Sequence, residues 1–322
     1  YTPTHTLSLH DALPISKPLL DGTLPDGSRV NATYSQDVTT RGPTFTIRKF
    51  TKEPWTPIHL INRNTAPPIV FAYLWLAIEH KKNFIVIGET ASGKTTFLNS
   101  ILSFIPPEAR VCSIEDTREL NLAHENWMPS VTRTGYGIPN LMGKEQGEIN
   151  LFDLLKESFR QNPDYVIVGE IRGKEAYVLF QGMASGHASF GTLHADSIET
   201  LIRRLETPPI NLSPSLIESL DIVCVMIHKK ELDRNLRRLK QLVEIEEKKK
   251  ELGKIEKNIP FEWEPVSDQI VQKSHLYILE EISKDSGISL EKLKNELRIR
   301  TELLTKMAEK KMNDFKKINK KK

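Results

Sequence analysis

The spacing of hydrophobic residues changes near residue 68 of the chain. Residues 19–50 alternate apolar and polar side chains around two Asp-Gly turns, which favours short antiparallel strands. From residue 68, short apolar runs typical of buried strands alternate with longer segments of helical spacing. Strands that alternate with helices predict an α/β fold with a mainly parallel sheet that is covered on both faces.

The second region contains a regular succession of predicted elements. They are helix 69–80, strand 83–88, helix 95–104, strand 110–115, helix 151–161, strand 164–169, helix 174–185, strand 188–193, helix 197–205 and strand 222–228. Residues 237–245 fit either a helix or a strand. Leu236, Leu239 and Leu242 have helical spacing, whereas Val243 and Ile245 alternate with polar residues as in a strand. The tail from Ser289 is predicted to be helical, with one apolar stripe of Leu290, Leu293, Leu297, Leu304 and Met307.

These patterns divide the chain into four segments. Residues 1–16 are predicted to be non-native or disordered, because they lack the features of a signal peptide and resemble translated sequencing-adaptor sequence. Residues 17–52 hold the antiparallel strands, and residues 68–322 hold the alternating elements. Residues 53–67 are predicted to be an interdomain linker, since four prolines occur among the polar residues of 52–68.

Composition and charge narrow the class of protein. A chain of 322 residues with 39% hydrophobic residues has room for about two domains with a hydrophobic core. The net charge of +3 gives no general attraction to nucleic acid, so no direct nucleic-acid binding is expected. The longest apolar run, residues 69–78, is shorter than the roughly 20 residues of a membrane-spanning helix. Cys112 and Cys224 lie in apolar segments and are predicted to be core thiols in a reducing compartment.

Residues 88–95, GETASGKT, match the phosphate-binding pattern GxxxxGK[ST] between a predicted strand and a predicted helix. Backbone N–H groups of such a loop face phosphate oxygens, and the helix N-terminus adds partial positive charge. Lys94 would contact the β- and γ-phosphates, while the Thr95 hydroxyl would ligate Mg²⁺. A chance glycine-rich turn is the weaker alternative. We therefore predict a nucleoside triphosphate and Mg²⁺ site at Gly88, Thr90, Ala91, Ser92, Gly93, Lys94, Thr95 and Thr96.

Two acidic segments follow predicted strands. Glu170 comes at the carboxyl end of an apolar strand, where α/β sheets bind their ligands, and would act on Mg²⁺ through its water shell. Residues 114–119, IEDTRE, offer Glu115 or Glu119 to orient and polarise the water that attacks the γ-phosphate. Solvated surface acids are the structural alternative in both places.

Two histidines, His187 and His194, stand on either side of the predicted strand 188–193. A histidine in such a place more often packs or caps than takes part in catalysis. In this fold the pair would sense the γ-phosphate as hydrogen-bond donors rather than act as bases. Metal binding is not expected, because no further Cys or His lies nearby in the sequence.

Four segments in this order resemble the motifs of the type II/IV secretion ATPase superfamily. GETASGKTT resembles the Walker A motif, IEDTRE the Asp box, DYVIVGEIRGKEA the Walker B motif and GHASFGTLHAD the His box. The segments AYLWLAIE, NWMPSVTR and FQGMASGH resemble the archaeal branch of that superfamily. Its members drive type II and type IV secretion, type IV pili and the archaellum.

The resemblance implies an ATP-hydrolysing motor. Residues 68–322 would be a RecA-like P-loop ATPase domain with a helical C-terminal tail, and residues 17–52 the C-terminal part of a truncated, PAS-like α+β domain. ATP would bind between the two domains of each subunit in a homohexamer. The motor would be cytoplasmic, peripheral at the inner face of the cell membrane, and would act on a polytopic membrane platform protein.

The resemblance also implies roles for individual residues. Glu119 matches the catalytic glutamate better than Glu115 does, Glu170 matches the Walker B acid, and His194 matches the His-box histidine. Cations near the phosphates would come partly from the N-terminal domain, where Arg29 and Arg48 match best, with Arg133 in the segment SVTR as a further candidate.

Two other functions stay open at this point. One is a DNA-conjugation-type ATPase on the same core, and the other is a nucleotide-binding regulatory paralogue that does not turn over. Lys94, Glu119, Glu170 and His194 are all present, which argues against the regulatory alternative. The sequence does not distinguish a pilus, a secretion channel and an archaellum.

Overall fold

The computed structural model describes residues 18–34, 36, 38–135, 145–231, 234–246 and 255–313. The chain divides into two compact units. The smaller unit comprises residues up to Lys52 together with Thr117–Glu119, and the larger unit comprises residues 53–116 and those from Leu120 onward. None of the described helices combines the length and apolar character needed to cross a membrane.

The described residues of the smaller unit form a three-stranded antiparallel sheet. Its strands are β1 (Leu19–Thr23), β2 (Arg29–Thr33) and β3 (Thr44–Arg48), in the order β1-β2-β3. The turn between β1 and β2 contains Gly27 in the left-handed region, at φ +88°, which glycine adopts without steric cost. Ser28 N donates to Asp26 Oδ1 over 2.9 Å and closes this turn. The predicted antiparallel strands are confirmed, but the first of the two predicted Asp-Gly turns is wrong, because Asp21 and Gly22 pair with β2 as part of β1.

The described residues of the larger unit form a nine-stranded sheet in the order β12-β11-β10-β9-β4-β8-β7-β5-β6. The six strands from β9 to β6 are parallel, and β10, β11 and β12 extend the sheet in antiparallel fashion. The strands are β4 (Phe84–Gly88), β5 (Val111–Glu115), β6 (Trp127–Val131), β7 (Tyr165–Ile171), β8 (Ala188–Leu193), β9 (Ile222–Glu231), β10 (Arg234–Glu246), β11 (Glu256–Glu264) and β12 (Gln269–Gln272).

Helices cover both faces of this sheet. They are α1 (Pro57–Asn62), α2 (Pro68–Glu79), α3 (Lys94–Ile101) with a 3-10 turn Leu102–Phe104, α4 (Leu151–Arg160), α5 (Glu175–Ala184), α6 (Ile198–Glu206), α7 (Pro214–Ile217), α8 (Tyr277–Ser286) and α9 (Leu290–Glu309). One apolar core contains side chains of α1, α2, α3, α8 and α9, and the other contains side chains of α4 to α7.

The position of β4 between the two cores explains why its sequence is apolar throughout. Phe84 and Val86 belong to the first core, whereas Ile85 and Ile87 belong to the second. A parallel strand that is buried on both faces loses the alternation of a half-exposed strand. The α/β fold class with a mainly parallel sheet is therefore confirmed.

One segment differs from the sequence predictions, and the structure decides another that the sequence left open. Residues 53–67, predicted to be a linker, contain α1, and its Ile58 and Leu60 are buried in the core of the larger unit. Pro57 begins this helix at a position where its missing N–H removes no helical hydrogen bond. The ambiguous segment 237–245 is a strand, because β10 pairs with β9 on one side and β11 on the other.

Candidate functional site

The loop between β4 and α3, residues 88–95, is here called the P-loop. Gly93 and Ala91 lie in the left-handed region, at φ +91° and +61°. A Cβ at Gly88 would lie 2.5 Å from Met226 O, so the backbone of β9 passes where any side chain would stand. The loop therefore turns tightly between its strand and its helix, and it needs glycine at these two ends.

Lys94 points into the P-loop. Its side chain is buried, and Nζ donates to Gly88 O over 3.0 Å and to Glu89 O over 2.8 Å. Ser92 is buried as well, and its Oγ donates to Glu89 O over 2.8 Å. Of the other predicted nucleotide-binding side chains, Thr95 is half-buried, whereas Thr90, Ala91 and Thr96 are exposed.

A line of contacts joins Lys94 to two neighbouring strands. Lys94 Nζ lies 3.2 Å from His194 Nδ1, and His194 Nε2 lies 3.3 Å from Glu170 Oε1. The sheet order β4-β8-β7 produces this arrangement, because parallel strands end at the same edge and these residues follow or end their strands. Thr192 Oγ1 donates to Gly169 O over 2.6 Å and holds β8 against β7 beside the site.

The tautomer of His194 follows from its neighbours. A lysine ammonium group only donates, so His194 Nδ1 accepts and Nε2 carries the proton that faces Glu170. Partial burial and the adjacent charge of Lys94 lower the pKa of His194, which favours the neutral ring. The histidine thus links a cation to a carboxylate without adding a second charge.

Glu170 is held by a residue two positions later. Arg172 Nη2 donates to Glu170 Oε2 over 2.6 Å, and Arg172 Nη1 lies 3.2 Å from Asp116 Oδ2. Burial opposes ionisation of Glu170, but the hydrogen bond and charge of Arg172, with His194 and Lys94, lower its pKa overall. The sequence prediction omits Arg172 and Asp116 from the site, although Arg172 stands only two positions after Glu170.

Glu115 lies beside this group but is engaged in the fold. It ends β5, is 2% exposed, and its Oε1 accepts from Leu120 N over 3.0 Å. A Cβ at Gly169 would lie 2.9 Å from Glu115 Cγ, so Glu115 packs against the residue that precedes Glu170. The small residue at 169 is needed for the two acids to lie on adjacent strands.

Three of the predicted residues belong to the smaller unit. Arg48 Nη1 lies 2.7 Å from Glu119 Oε1. Arg29 pairs with Asp21, and the hydrogen bond from Arg29 lowers the pKa of that carboxyl group. Arg29 and Arg48 are directly opposite in the register of β2 and β3, so both side chains lie on one face of the three-stranded sheet.

Two other predicted residues lie apart from the Lys94 contacts. Arg133 follows β6 and its Nε donates to Gly147 O over 2.8 Å. His187 precedes β8 at the opposite edge of the sheet from the P-loop, and its ring packs edge-on against Phe159 at 4.9 Å. The prediction that both histidines sense the γ-phosphate is therefore wrong for His187, because a strand of six residues separates it from that edge.

Comparison with known proteins gives the family. The sequence model of the family described as type II/IV secretion system protein matches residues 8–258. The uncharacterized protein MJ0900 of Methanocaldococcus jannaschii is 40% identical over 304 residues, which cover 93% of this chain and 54% of that protein. The chain thus spans about half the length of that relative. The type IV secretion system protein PtlH of Bordetella pertussis is 31% identical over 245 residues, covering 65% of this chain and 70% of PtlH.

A solved structure supports the fold independently. The ATPase DotB of Legionella pneumophila superimposes with a TM-score of 0.51 at 17% identity, covering 99% of this chain and 80% of DotB. At this identity the similarity supports the RecA-like fold alone. Because the family model matches most of the chain and PtlH is related over most of its own length, this protein belongs to the type II/IV secretion system protein family.

Proposed function

We propose that the protein is a Mg²⁺-dependent ATPase that converts ATP hydrolysis into conformational work. The observation that carries this proposal is the contact from Lys94 through His194 to Glu170. A phosphate-binding loop alone binds nucleotide, whereas hydrolysis also needs an acid close to the metal ion. These contacts bring the lysine of the loop and the acid of β7 to one edge of the sheet.

The residues of the P-loop fit ATP and Mg²⁺. Its glycines bring backbone N–H groups close to the phosphate position, and α3 begins at Lys94. Thr95 would hold Mg²⁺ directly and Glu170 would hold it through water. The described residues contain no group of three His, Cys, Asp or Glu suited to a metal, and Mg²⁺ is commonly held by one or two protein ligands with substrate phosphates. Bound Mg²⁺ would neutralise charge on the β- and γ-phosphates.

The protein's own side chains would divide the work as follows. Lys94 binds the phosphates by leaving the loop carbonyl oxygens that it contacts in this structure. Arg172 keeps Glu170 ionised and fixes one of its oxygens. His194 is neutral and donates from Nε2 to Glu170. When Lys94 leaves His194 Nδ1 to bind the phosphates, the ring is free to move, and this changes its hydrogen bond to Glu170 without a proton transfer.

We propose Glu119 rather than Glu115 as the residue that orients the attacking water. Glu115 is 2% exposed and its Oε1 is engaged with Leu120 N, whereas the Glu119 side chain is 28% exposed. A general base must reach a water molecule, which favours the more accessible acid. Arg48 and Arg29 are proposed as the cations that meet the charge developing on the γ-phosphate, with Arg133 as a further candidate.

The proposed biological role is that of a motor for a secretion, pilus or archaellum machine. The family membership supports work on a polytopic membrane platform protein by a homohexamer at the inner face of the cell membrane. PtlH is by its name a protein of a type IV secretion system, which favours a secretion machine as the setting.

The test is steady-state phosphate release with Mg²⁺ and with EDTA. Lys94→Ala is expected to abolish or severely weaken binding of a fluorescent ATP analogue, because Lys94 contacts the phosphates in the ground state. Glu170→Gln is expected to bind the analogue normally and to lose turnover. Lys81→Ala is the matched control, since Lys81 is exposed and lies just before β4 at the opposite edge of the sheet. Equal analogue binding by Lys94→Ala and the parent would overturn the proposal.

A further inference from the structure

Arg237 lies close to the P-loop although 146 positions separate it from Ala91 in the sequence. It is on β10, which is two strands away from β4 in the order β10-β9-β4. Arg237 stands opposite His228, and Met226 on the same strand as His228 stands opposite Gly88. The sheet register therefore carries the Arg237 side chain to the edge where β4 ends.

The face of the sheet is also fixed. Leu239 and Met226 are paired and both belong to the core that includes α3. Arg237 is two positions before Leu239, so it projects to that same face. A long side chain on this face of the sheet reaches the N-terminal end of α3, where the P-loop lies.

Two contacts join Arg237 to the loop. Arg237 Nε donates to Ala91 O over 2.9 Å, and a Cβ at Gly93 would lie 3.2 Å from Arg237 Cδ. The arginine stem thus lies against the open side of Gly93, and the guanidinium group holds the carbonyl oxygen two residues earlier. A side chain at position 93 would push the arginine away from the loop.

The residues that Arg237 touches are the ones that need support. Ala91 and Gly93 both lie in the left-handed region. For a non-glycine residue such as Ala91 this conformation is sterically unfavourable. Conformations of this kind persist only where surrounding contacts hold them. The carbonyl that Arg237 binds belongs to Ala91, which is the strained residue of the loop.

We propose that Arg237 is a positioning residue that holds the P-loop in its phosphate-binding shape. The inference rests on the proposed binding of a nucleoside triphosphate, which it deepens. Arg237 uses Nε to fix the loop, while the planar guanidinium group has four further N–H donors on its other nitrogens. It therefore adds a cation beside the loop that would receive the phosphates.

The experiment compares Arg237→Gln, Arg237→Lys and the control Lys230→Gln. Lys230 is exposed on β9, and Lys230→Gln removes one positive charge from the β9–β10 hairpin, as Arg237→Gln does. Binding of fluorescent ATP and of inorganic tripolyphosphate is measured, together with KM, kcat and the exchange of the amides of residues 89–93 in the protein without nucleotide. Apo melting temperature records whether each variant is folded.

We expect Arg237→Gln to weaken ATP and tripolyphosphate by a similar factor of about 10, which corresponds to about 1.4 kcal/mol. KM rises more than kcat falls, the loop amides exchange faster, and the apo melting temperature changes little. Arg237→Lys, which keeps the charge, recovers part of the affinity but not the slow amide exchange, because it lacks the planar fork.

Unchanged affinity and unchanged loop exchange in Arg237→Gln would overturn the inference. An equal loss of affinity in Lys230→Gln would overturn it too, since the effect would then be one of general charge. If the parent protein fails to bind ATP, the proposed function fails, whereas faster loop exchange in Arg237→Gln alone would still support the contact with Ala91.

Discussion

Arg172, the residue that directly follows β7, donates to Glu170 of that strand across 2.6 Å. Because Arg172 also reaches Asp116, one guanidinium group joins the acid of β7 to the segment after β5. Arg172 therefore sets both the charge and the direction of Glu170.

Replacing Arg172 with Gln is expected to lower kcat by about 10-fold or more while the affinity for ATP stays within about 2-fold. Hydrogen bonds to charged groups contribute about 1.5–3 kcal/mol, and each 1.36 kcal/mol is tenfold in rate. Turnover and binding are measured on the same preparation. Lys174→Gln, an exposed cation two residues later, is the control and should behave like the parent. A parallel loss of binding would show that Arg172 acts on the fold of the loop instead.

Glu119→Gln and Glu115→Gln are expected to fail in different ways. Glu119→Gln should fold normally and lose turnover by about 100-fold, within the range that a general base contributes. Glu115→Gln should lower the free energy of unfolding by about 1–2 kcal/mol, because it weakens a buried charged acceptor for Leu120 N. Chemical denaturation and kcat are measured for both variants. Equal kcat values would remove the reason for choosing Glu119.

Arg48→Ala is expected to reduce kcat by about 10-fold or more but to leave the melting temperature nearly unchanged. The ion pair of Arg48 with Glu119 is largely exposed, and such pairs contribute about 0.2–1 kcal/mol to stability. The predicted loss of activity has another origin, namely the cation that the developing γ-phosphate charge requires. Arg41→Ala provides an exposed cation of the same unit as the control. If both variants turn over like the parent, Arg133 is the next cation to replace.

Asp221 is expected to make stability depend on pH in a definite direction. Burial raises its pKa from 3.8 to about 6, against the opposing effects of Lys82 and of the hydrogen bond from Asn83 N. The folded state thus binds more protons than the unfolded state between about pH 4 and pH 6, so the contribution of Asp221 falls as pH rises through that window. The full change is about 3 kcal/mol, because each pKa unit corresponds to 1.36 kcal/mol.

Asp221→Asn should remove this slope, as measured by urea unfolding at several pH values. Asp164→Asn is the control of opposite sign, because the hydrogen bond from Arg110 N lowers the pKa of Asp164. Its contribution is present at neutral pH and lost as pH falls. Identical pH slopes for the parent and Asp221→Asn would contradict the assignment.

The elements that the sequence predicted well are those whose pattern has a local cause. Strand β8 begins and ends where it was predicted, at Ala188 and Leu193, because a short apolar run is bounded by polar residues. The P-loop was predicted from residues 88–95 alone, since strand, loop and helix are contiguous. The apolar stripe on α9 also has a local cause, the helical spacing of its leucines, and Leu293 and Leu297 of this stripe are buried.

The antiparallel extension of the sheet was harder to predict because its polar residues are satisfied at long range. Arg238 on β10 is 5% exposed and pairs with Asp268, and Glu244 is fully buried and accepts from Asn258 Nδ2 over 2.6 Å. A strand with buried charges does not show the alternation of a half-buried strand. Only the folded chain reveals these partners.

The residues of the candidate site likewise divide into those that the local sequence indicates and those that only long-range contacts reveal. Lys94 and Glu170 are recognisable because each directly follows or ends an apolar strand. Arg237 is not, because its contact with the P-loop depends on sheet order and register, and the same holds for the contact of Arg172 with Asp116. Helix α1 was missed for a local reason, since Pro57 was interpreted as a break although it starts the helix.

The contacts of Lys94 with Gly88 O, Glu89 O and His194 also make nucleotide binding a competition. A phosphate chain must replace the carbonyl oxygens that already accept hydrogen bonds from Lys94. The net free energy of this contact is therefore only the difference between the two sets of acceptors. We expect a ligand with a single phosphate to offer too little charge at Lys94 to replace these contacts, and a triphosphate to offer enough. Comparing the dissociation constants of AMP, ADP and ATP measures this discrimination. In the proposed ATPase, the P-loop would therefore respond to the number of phosphates rather than to the nucleoside.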